Sequence, residues 1–324
     1  MNSIAQTVVK TLSFRLRASD ACLLTALVRD CSSLLPPRLR TLKFMKVTRR
    51  QFLQIAGGLG IAVGIPSAAE VAYATRIEPR RVFMEERPIR LQRLPSAFEG
   101  FRIALFSDLH LYPFTPIQLV RDAVNLANSF RPDLVVLAGD FVWLYVEAAF
   151  DLVPVLSQLN PAKGTFAVLG NHDHWKGPEI VAKALAEAGV QLLQNRGVTI
   201  QIGRDSIYLA GVDSVWAGTA SPVAAFENKR GNLTSIVTVH EPDIIRDLAP
   251  RFPVDLQLSG HSHGGQVRLP IVGALVLPPW GEIYDMGLYR VGNAQLYTTR
   301  GIGTIGVNAR FNCPPEVTAI TLHA

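Results

Sequence analysis

Five times between residues 103 and 263, a short apolar run gives way to Asp, Asn or His, four times through a small residue. Ile103–Phe106 leads into Ser107-Asp108-Leu109-His110, and Leu134–Leu137 into Ala138-Gly139-Asp140. Phe166–Leu169 precedes Gly170-Asn171-His172-Asp173, Ile236–Val239 precedes His240, and Leu256–Leu258 precedes Ser259-Gly260-His261-Ser262-His263. Short apolar runs bounded by turn formers predict buried strands. Helices are expected between the first three. Thr115-Pro116 can open one as cap and first residue, with Leu119, Val120, Ala123, Val124 and Ala127 on one face. Ile180–Ala188 gives another, closed by Gly189. His110 to Asp140 is 30 residues and Asp140 to Asn171 is 31, each about one βαβ unit. Val198–Ala210, around Gly203-Arg204-Asp205, reads as a hairpin. The pattern predicts an α/β domain with its polar groups at the carboxyl ends of strands, where such sheets place ligands.

Composition bounds the function. The 324 residues are 48% hydrophobic and 18% charged, which suits a globular chain with a full core. The net charge of +6 invites a nucleic-acid reading. Its distribution argues against one. Residues 1–74 hold ten Lys/Arg and three Asp/Glu, which is +7, and the rest hold 22 and 23, which is −1. No basic nucleic-acid surface is expected on the folded domain. Cys22 and Cys31 lie near the start, leaving Cys313 alone in the presumed domain. That excludes both a disulfide framework and a zinc ribbon.

The compartment is read from the leader. Thr48-Arg49-Arg50-Gln51-Phe52-Leu53-Gln54 runs into Ile55–Ile65, an apolar segment of 11 residues with four Gly. It is shorter than the roughly 20 residues a spanning helix needs. Ala72-Tyr73-Ala74 places small residues where a signal peptidase reads. Together these resemble a twin-arginine (Tat) export signal, which implies the export machinery as a partner and the periplasm or cell envelope as the destination. Residues 1–44 are expected to be a leader extension or a misassigned start, with Met45 as the alternative beginning. Residues 45–74 would form the signal and 75–324 the catalytic domain.

Six of the seven His, namely His110, His172, His174, His240, His261 and His263, fall at or just after predicted strand ends. A lone His is more often a satisfied core or surface residue than a ligand. Five strand ends each delivering His, Asp or Asn change that weighing. Desolvation and like charge oppose crowding such groups together, and a pair of divalent cations removes the conflict. Asp108-Leu109-His110, Gly139-Asp140, Gly170-Asn171-His172-Asp173, His240 and Gly260-His261-Ser262-His263 resemble, in that order, the motifs of the calcineurin-like metallophosphoesterases. The resemblance covers about residues 88–324 and looks closest to an envelope branch with a twin-arginine leader. Gly260–Gln266 and Pro314-Pro315-Glu316 carry that part of the likeness.

The resemblance implies a four-layer αββα sandwich of two mixed sheets flanked by helices. It implies two divalent metal ions, with Asp108, His110 and His263 on the first, Asn171, His240 and His261 on the second, and Asp140 bridging. Ligands of His and Asp without thiolate suit Mn, Fe or Zn. It further implies hydrolysis of a phosphate ester by a metal-bridging hydroxide, with His172 at the leaving group as hydrogen-bond donor or general acid. Asp173 would orient His172, or else serve as a turn residue. His174 reads as a solvated loop position. Asp213 lines the cleft or caps a turn, and Arg310 meets a phosphate or an internal carboxylate. Arg300-Gly301-Ile302-Gly303 is too weak a pattern for a phosphate loop.

Leu269–Trp280, beside the last metal motif, has two readings. One is a buried strand with flanking turns. The other is an apolar lip that admits acyl chains or touches a membrane surface, which would suit a diester substrate that is a phospholipid or a lipid-linked sugar. The rival within the enzyme class is a cytoplasmic pyrophosphohydrolase of a UDP-linked acylated sugar in lipid A synthesis. A rival of another class is a phosphatase-like scaffold without chemistry. Scaffolds drop ligands, and here every expected ligand position is filled.

Overall fold

The computed structural model describes residues 67–324. The paired Arg49 and Arg50, the apolar stretch 55–65 and the extension 1–44 lie outside the described residues.

The described residues form fourteen strands and a set of short helices, with the five predicted runs and the predicted hairpin among them. The strands of the first sheet are β1 (Phe83–Arg90), β2 (Arg102–Phe106), β3 (Leu134–Leu137), β4 (Thr165–Ala167), β5 (Gln191–Leu192) and the last strand of the chain, β14 (Glu316–His323). Those of the second are β6 (Arg196–Ile202), β7 (Asp205–Gly211), β8 (Thr234–Thr238), β9 (Leu256–Ser259), β12 (Gly287–Val291) and β13 (Ala294–Thr298). A separate two-stranded ribbon joins β10 (Arg268–Leu269) to β11 (Gly273–Ala274). The first sheet runs in the order β1-β14-β2-β3-β4-β5 and the second β12-β13-β9-β8-β7-β6. Both are mixed. β2 through β5 are parallel and β14 is antiparallel to β2. β7, β8, β9 and β13 are parallel, and β6 and β12 close the two edges antiparallel.

The two sheets face each other because alternate residues of the apolar strands point to opposite sides. Ile103, Leu105, Leu134 and Val136 of the first sheet pack against Leu209, Ile236, Leu256 and Leu258 of the second. Ala104, Phe106, Val135 and Leu137 turn the other way, onto α2 (Ile117–Ser129), α3 (Ala149–Leu156) and α5 (Pro178–Glu187). Tyr208, Ala210, Val237 and Leu296 turn outward from the second sheet. The short helices α6 (Pro222–Phe226) and α7 (Ile245–Leu248) cover them. Four layers result, as expected.

The remaining helices are α1 (Ala68–Ala72), continued by a π-helical turn at Tyr73–Ile77, and α4 (Asn171–Lys176). The expected boundary after Ala74 therefore falls inside a helical segment. Thr115 is displaced from its expected place. Pro116 is the cap of α2 and the helix begins at Ile117. The Thr115 hydroxyl accepts instead from Thr304 N at 3.3 Å. Gly189 closes α5 at φ 75°, with Val190 N on Leu185 O at 2.9 Å, a left-handed ending that favours glycine. Among the described residues no helix is long and apolar enough to cross a membrane.

Candidate metal centre

The carboxyl ends of β2, β3 and β4 in the first sheet, and of β8 and β9 in the second, converge on one place. Asp108 and His110 follow β2, Asp140 follows β3, and Asn171 is the first residue of α4 after β4. His240 follows β8, and His261 and His263 follow β9. All seven are buried. Five of them stand in the left-handed region, with φ of 54° at Asp108, 41° at His110, 58° at Asp140, 72° at His261 and 52° at His263. That conformation costs an L-residue on the order of 1–2 kcal/mol, and such strain gathers at functional sites. The backbone of these turns is held from outside. Asp108 N donates to Gly139 O at 2.8 Å, His110 N to Asp140 O at 3.1 Å, and Ile302 N to Ser107 O at 3.0 Å.

Hydrogen bonds fix the tautomers of two histidines. His240 Nδ1 lies 2.6 Å from Ala138 O. A carbonyl only accepts, so Nδ1 carries the proton. Nε2 then stands 3.1 Å from Asp140 Oδ2 and 3.8 Å from Asp108 Oδ1, and offers a lone pair when the ring is neutral. His261 shows the opposite tautomer, with Nε2 donating to Pro279 O at 2.8 Å, which leaves Nδ1 as the free pair. His110 Nε2 is 3.0 Å from His263 Nε2 and 3.4 Å from Asp140 Oδ2. His263 Nε2 is 3.4 Å from Asp108 Oδ1. Buried atoms without partners also gather here, namely His110 Nδ1, Asn171 Oδ1, His172 Nδ1 and His263 Nδ1.

Lone pairs and carboxylates thus face one another in a buried place, an arrangement that requires positive charge. Protons supply little of it. Burial opposes a proton on His240, yet Asp140 and Asp108 hold its pKa well above the ordinary value. Burial takes His110 down to about 3 against the pull of Asp140. Burial, with His240 adding, takes His261 to about 3, and burial with His110 adding keeps His263 well below the ordinary range. Burial lifts Asp108 to about 6, against His240. One proton on His240 leaves the other pairs unanswered, whereas divalent cations answer them together. The groups Asp108–His110–His263 and Asp108–Asp140–His240 each bring three ligand atoms within 4.8 Å of one another. His261 belongs to neither triad, and its ring centroid lies 5.0 Å from that of His240. An oxygen and imidazole donor set of this kind fits Mn, Fe or Zn.

Helix α4 carries the next group of residues. His172 N donates to Asp140 Oδ1 at 2.9 Å, and the His172 ring meets that of His110 edge-on at 4.9 Å. Gly170, just before α4, passes so near Asp140 that a Cβ would overlap its carboxylate. Asp173 differs from its expected contact. One oxygen accepts from Asp140 N and Gly170 N, each at 2.9 Å, and the other from Phe141 N at 2.8 Å. With both oxygens on backbone N–H groups, it fastens the Asp140 turn to the start of α4 and does not orient the His172 ring. Burial and the neighbouring Asp140 push Asp173 up to about 7. No acceptor is left for a carboxyl proton, however, so the geometry holds the ionised form.

His174 is also corrected, from a solvated position to a cross-link between the sheets. Its Nε2 lies 2.6 Å from Asp213 Oδ1. The hydrogen bond to Asp213 raises the His174 pKa. Burial opposes charge on Asp213, but His174, Thr219 and Gln194 bring it to about 2. Asp213 caps its own turn as well, accepting from Ser214 N at 3.0 Å and Thr219 N at 2.9 Å. Arg310, fully buried, donates to no carboxylate. It donates to the carbonyls of Arg300 at 2.9 Å, Gly303 at 2.5 Å and Cys313 at 2.9 Å. It thereby folds the loop at 300–313 behind Asp108, where a Cβ on Gly301 (φ 69°) would come 2.7 Å from Asp108 Cβ.

A cleft of about 520 Å³ opens over the cluster. His110, Asp140, Asn171, His172, His261 and His263 form its polar floor, and Val276, Leu277, Pro278, Pro279, Ile305 and Val307 form an apolar wall. Leu269–Trp280 is therefore not a buried strand. Two tryptophans that sequence reasoning passed over stand beside the histidines, and Trp216 lines the cleft. Trp175 meets His172 at 4.9 Å and Trp216 at 4.9 Å, and Trp216 meets His261 at 5.6 Å. The signal was present for Trp175, three residues beyond His172 on one helical face.

Comparisons with known proteins agree with this geometry. Residues 101–265, about half of the chain, match the calcineurin-like phosphoesterase family model. The chain is 34% identical over 286 residues to the uncharacterized metallophosphoesterase YkuE of Bacillus subtilis, covering 86% of this chain and 99% of that one. It is 35% identical over 283 residues to the phosphodiesterase YaeI of Escherichia coli, covering 85% and 99%. It is 28% identical over 308 residues to the UDP-2,3-diacylglucosamine pyrophosphatase LpxG of Chlamydia muridarum, covering 76% and 90%. Motif order, paired sheets and near full-length alignment lead to one family, and the chain belongs to the calcineurin-like phosphoesterases, hydrolases of phosphoric esters.

Proposed function

We propose that the protein is a two-metal phosphodiesterase acting on a lipid-linked phosphodiester in the cell envelope, after export by the twin-arginine route. The observation that carries this reading is the cleft, in which a floor of imidazoles and carboxylates adjoins an apolar wall. Asp108, His110 and His263 would hold one cation, and Asn171, His240 and His261 the other. Asp140 would serve both, since its Oδ2 faces His110 at 3.4 Å and His240 at 3.1 Å. When bound, divalent cations at such a site supply Lewis acidity at phosphorus and a nucleophile at neutral pH. His172 is assigned to the leaving group, as hydrogen-bond donor or general acid. The apolar wall receives the acyl part, and the Trp175–Trp216 pair faces the opposite end of the substrate. The name of the Escherichia coli relative supports a diester. That of the Chlamydia relative favours a second reading, a cytoplasmic pyrophosphohydrolase of an acylated nucleotide sugar.

The test uses the purified chain stripped by chelator and reloaded with Mn, Fe or Zn singly. Diester hydrolysis should exceed monoester hydrolysis. Across a series of lipid diesters, kcat/KM should rise with acyl length, by up to about fourfold per methylene taken into the wall. Monoester preference, or a flat dependence on chain length, would overturn the reading. Preference for a UDP-linked acyl sugar would move the assignment to the second.

A further inference from the structure

The apolar wall of the cleft has an outer side. From Leu269 to Gly281 the chain holds 13 residues without a charge. Val276, Leu277, Pro278 and Pro279 face the cleft, while Ile271, Val272 and Leu275 face solvent. Ile271 is 108% exposed and Val272 68%, so this uncharged turn stands open to solvent. Ile271 is moreover a β-branched residue at φ 69°, a conformation such side chains avoid. A soluble hairpin would place Gly or Asn there. The charges at the base are answered within the fold, with Arg268 2.5 Å from Asp285.

The N-terminal end of the described chain arrives at the same edge. Arg310 N donates to Ala74 O at 2.8 Å, and the next residue, Phe311, bridges to Val267 at the foot of the ribbon. The helical segment Ala68–Ile77 thus passes the foot of the ribbon at Ala74 and exposes Val71, Tyr73 and Ile77. In sequence it follows the apolar stretch Ile55–Ile65 after Pro66 and Ser67.

We infer that the ribbon β10–β11 and the loop to Gly281 form a ridge that docks in the apolar surface of a lipid bilayer, with its inner side leading acyl chains into the cleft. The second clause rests on the lipid-diester reading above, whereas the docking itself does not. An uncharged ridge binds by apolar burial alone, so docking should occur on neutral vesicles and survive high salt. Each exposed aliphatic side chain contributes on the order of tenfold to the partition.

The experiment uses the full chain with Cys22 and Cys31 replaced by Ser and an environment-sensitive dye on Leu275→Cys. A second preparation carries the dye on Lys183→Cys, on the exposed face of α5, which covers the outer side of the first sheet. With phosphatidylcholine vesicles, the dye at 275 should shift to the blue and be quenched by brominated acyl chains, and the dye at 183 should do neither. Ile271→Asp with Val272→Asp should abolish the shift. Asp accepts the left-handed turn better than Ile, so folding is not endangered. That variant should keep its hydrolysis of a short soluble diester and lose at least tenfold on vesicle-borne lipid. A water-exposed dye at 275 on protein that floats with vesicles would overturn the proposal, because the leader alone would then do the binding. So would a requirement for anionic lipid, or a blue shift that grows with protein concentration without vesicles, which would mark self-association. Docking without lipid hydrolysis would sink the substrate reading and leave the ridge standing.

Discussion

Asp173→Asn separates two ways in which a carboxylate beside the centre can act. In the structure it serves three close backbone donors, the N–H groups of Asp140, Gly170 and Phe141. An amide keeps one acceptor oxygen. Its best placement retains the bonds to Asp140 and Gly170 and turns its NH₂ toward Phe141 N. Leaving that buried donor without an acceptor costs about 1–3 kcal/mol, and the two surviving bonds lose their charge assistance at about 1 kcal/mol each. Relief from burying a charge returns part of this, so the net loss should be about 3 kcal/mol. For a domain of this size that corresponds to a Tm lower by roughly 6–12 °C. The loosened turn carries Asp140, whose φ of 58° is kept in place by these bonds, so metal content should fall with Tm. Thermal unfolding with and without chelator, together with elemental analysis of the dialysed protein, measures both. Full metal content, an unchanged Tm and a loss confined to turnover would refute the reasoning, and would return Asp173 to the role of orienting His172.

Asp140→Asn keeps the shape but removes the charge that faces His110 and His240, so metal content and activity should fall together in elemental analysis and diester assay. His172→Ala should keep its metals and lose about 10²–10⁴-fold in turnover, and an ester with a very good leaving group should recover part of it. Replacing Arg49 and Arg50 together by Lys should hold active, metal-loaded enzyme in the cytosol, as read by fractionation with an activity assay. Unchanged activity outside the membrane would count against the export signal.

Much of the centre was legible because its chemistry is tied to strand ends. A buried strand in such a sheet is a short apolar run, and the polar residue after it has few places to go but the sheet's edge, so Asp108, Asp140, Asn171, His240 and His261 could be assigned to one neighbourhood from order alone. Order does not reveal partners across the sheets. His174 looked like loop because its partner, Asp213, lies 39 residues further on, in the other sheet. Arg310 looked like a ligand for an anion because a buried guanidinium usually finds one. That it would serve carbonyls of its own loop depends on the loop's path, which no periodicity records. The Asp173 contact failed for a similar reason, since adjacency to His172 in sequence says nothing about which way a helical first turn points its side chains. The ribbon at Arg268–Ala274 was ambiguous because apolar composition is the same whether a strand is covered or bare.

The close passage of Gly170 against Asp140 and of Gly301 against Asp108 has a consequence for the genetics of this protein. Alanine is the smallest possible change at either place, and it already puts a carbon where a site carboxylate must lie. In a saturation scan scored by activity, these two positions should therefore rank with the histidines, although neither has a side chain that could bind or react. Tolerance should return only at residues whose side chains leave the cluster. A map of inactivating substitutions would then trace the path of the backbone around the carboxylates as clearly as it marks the groups that do the chemistry.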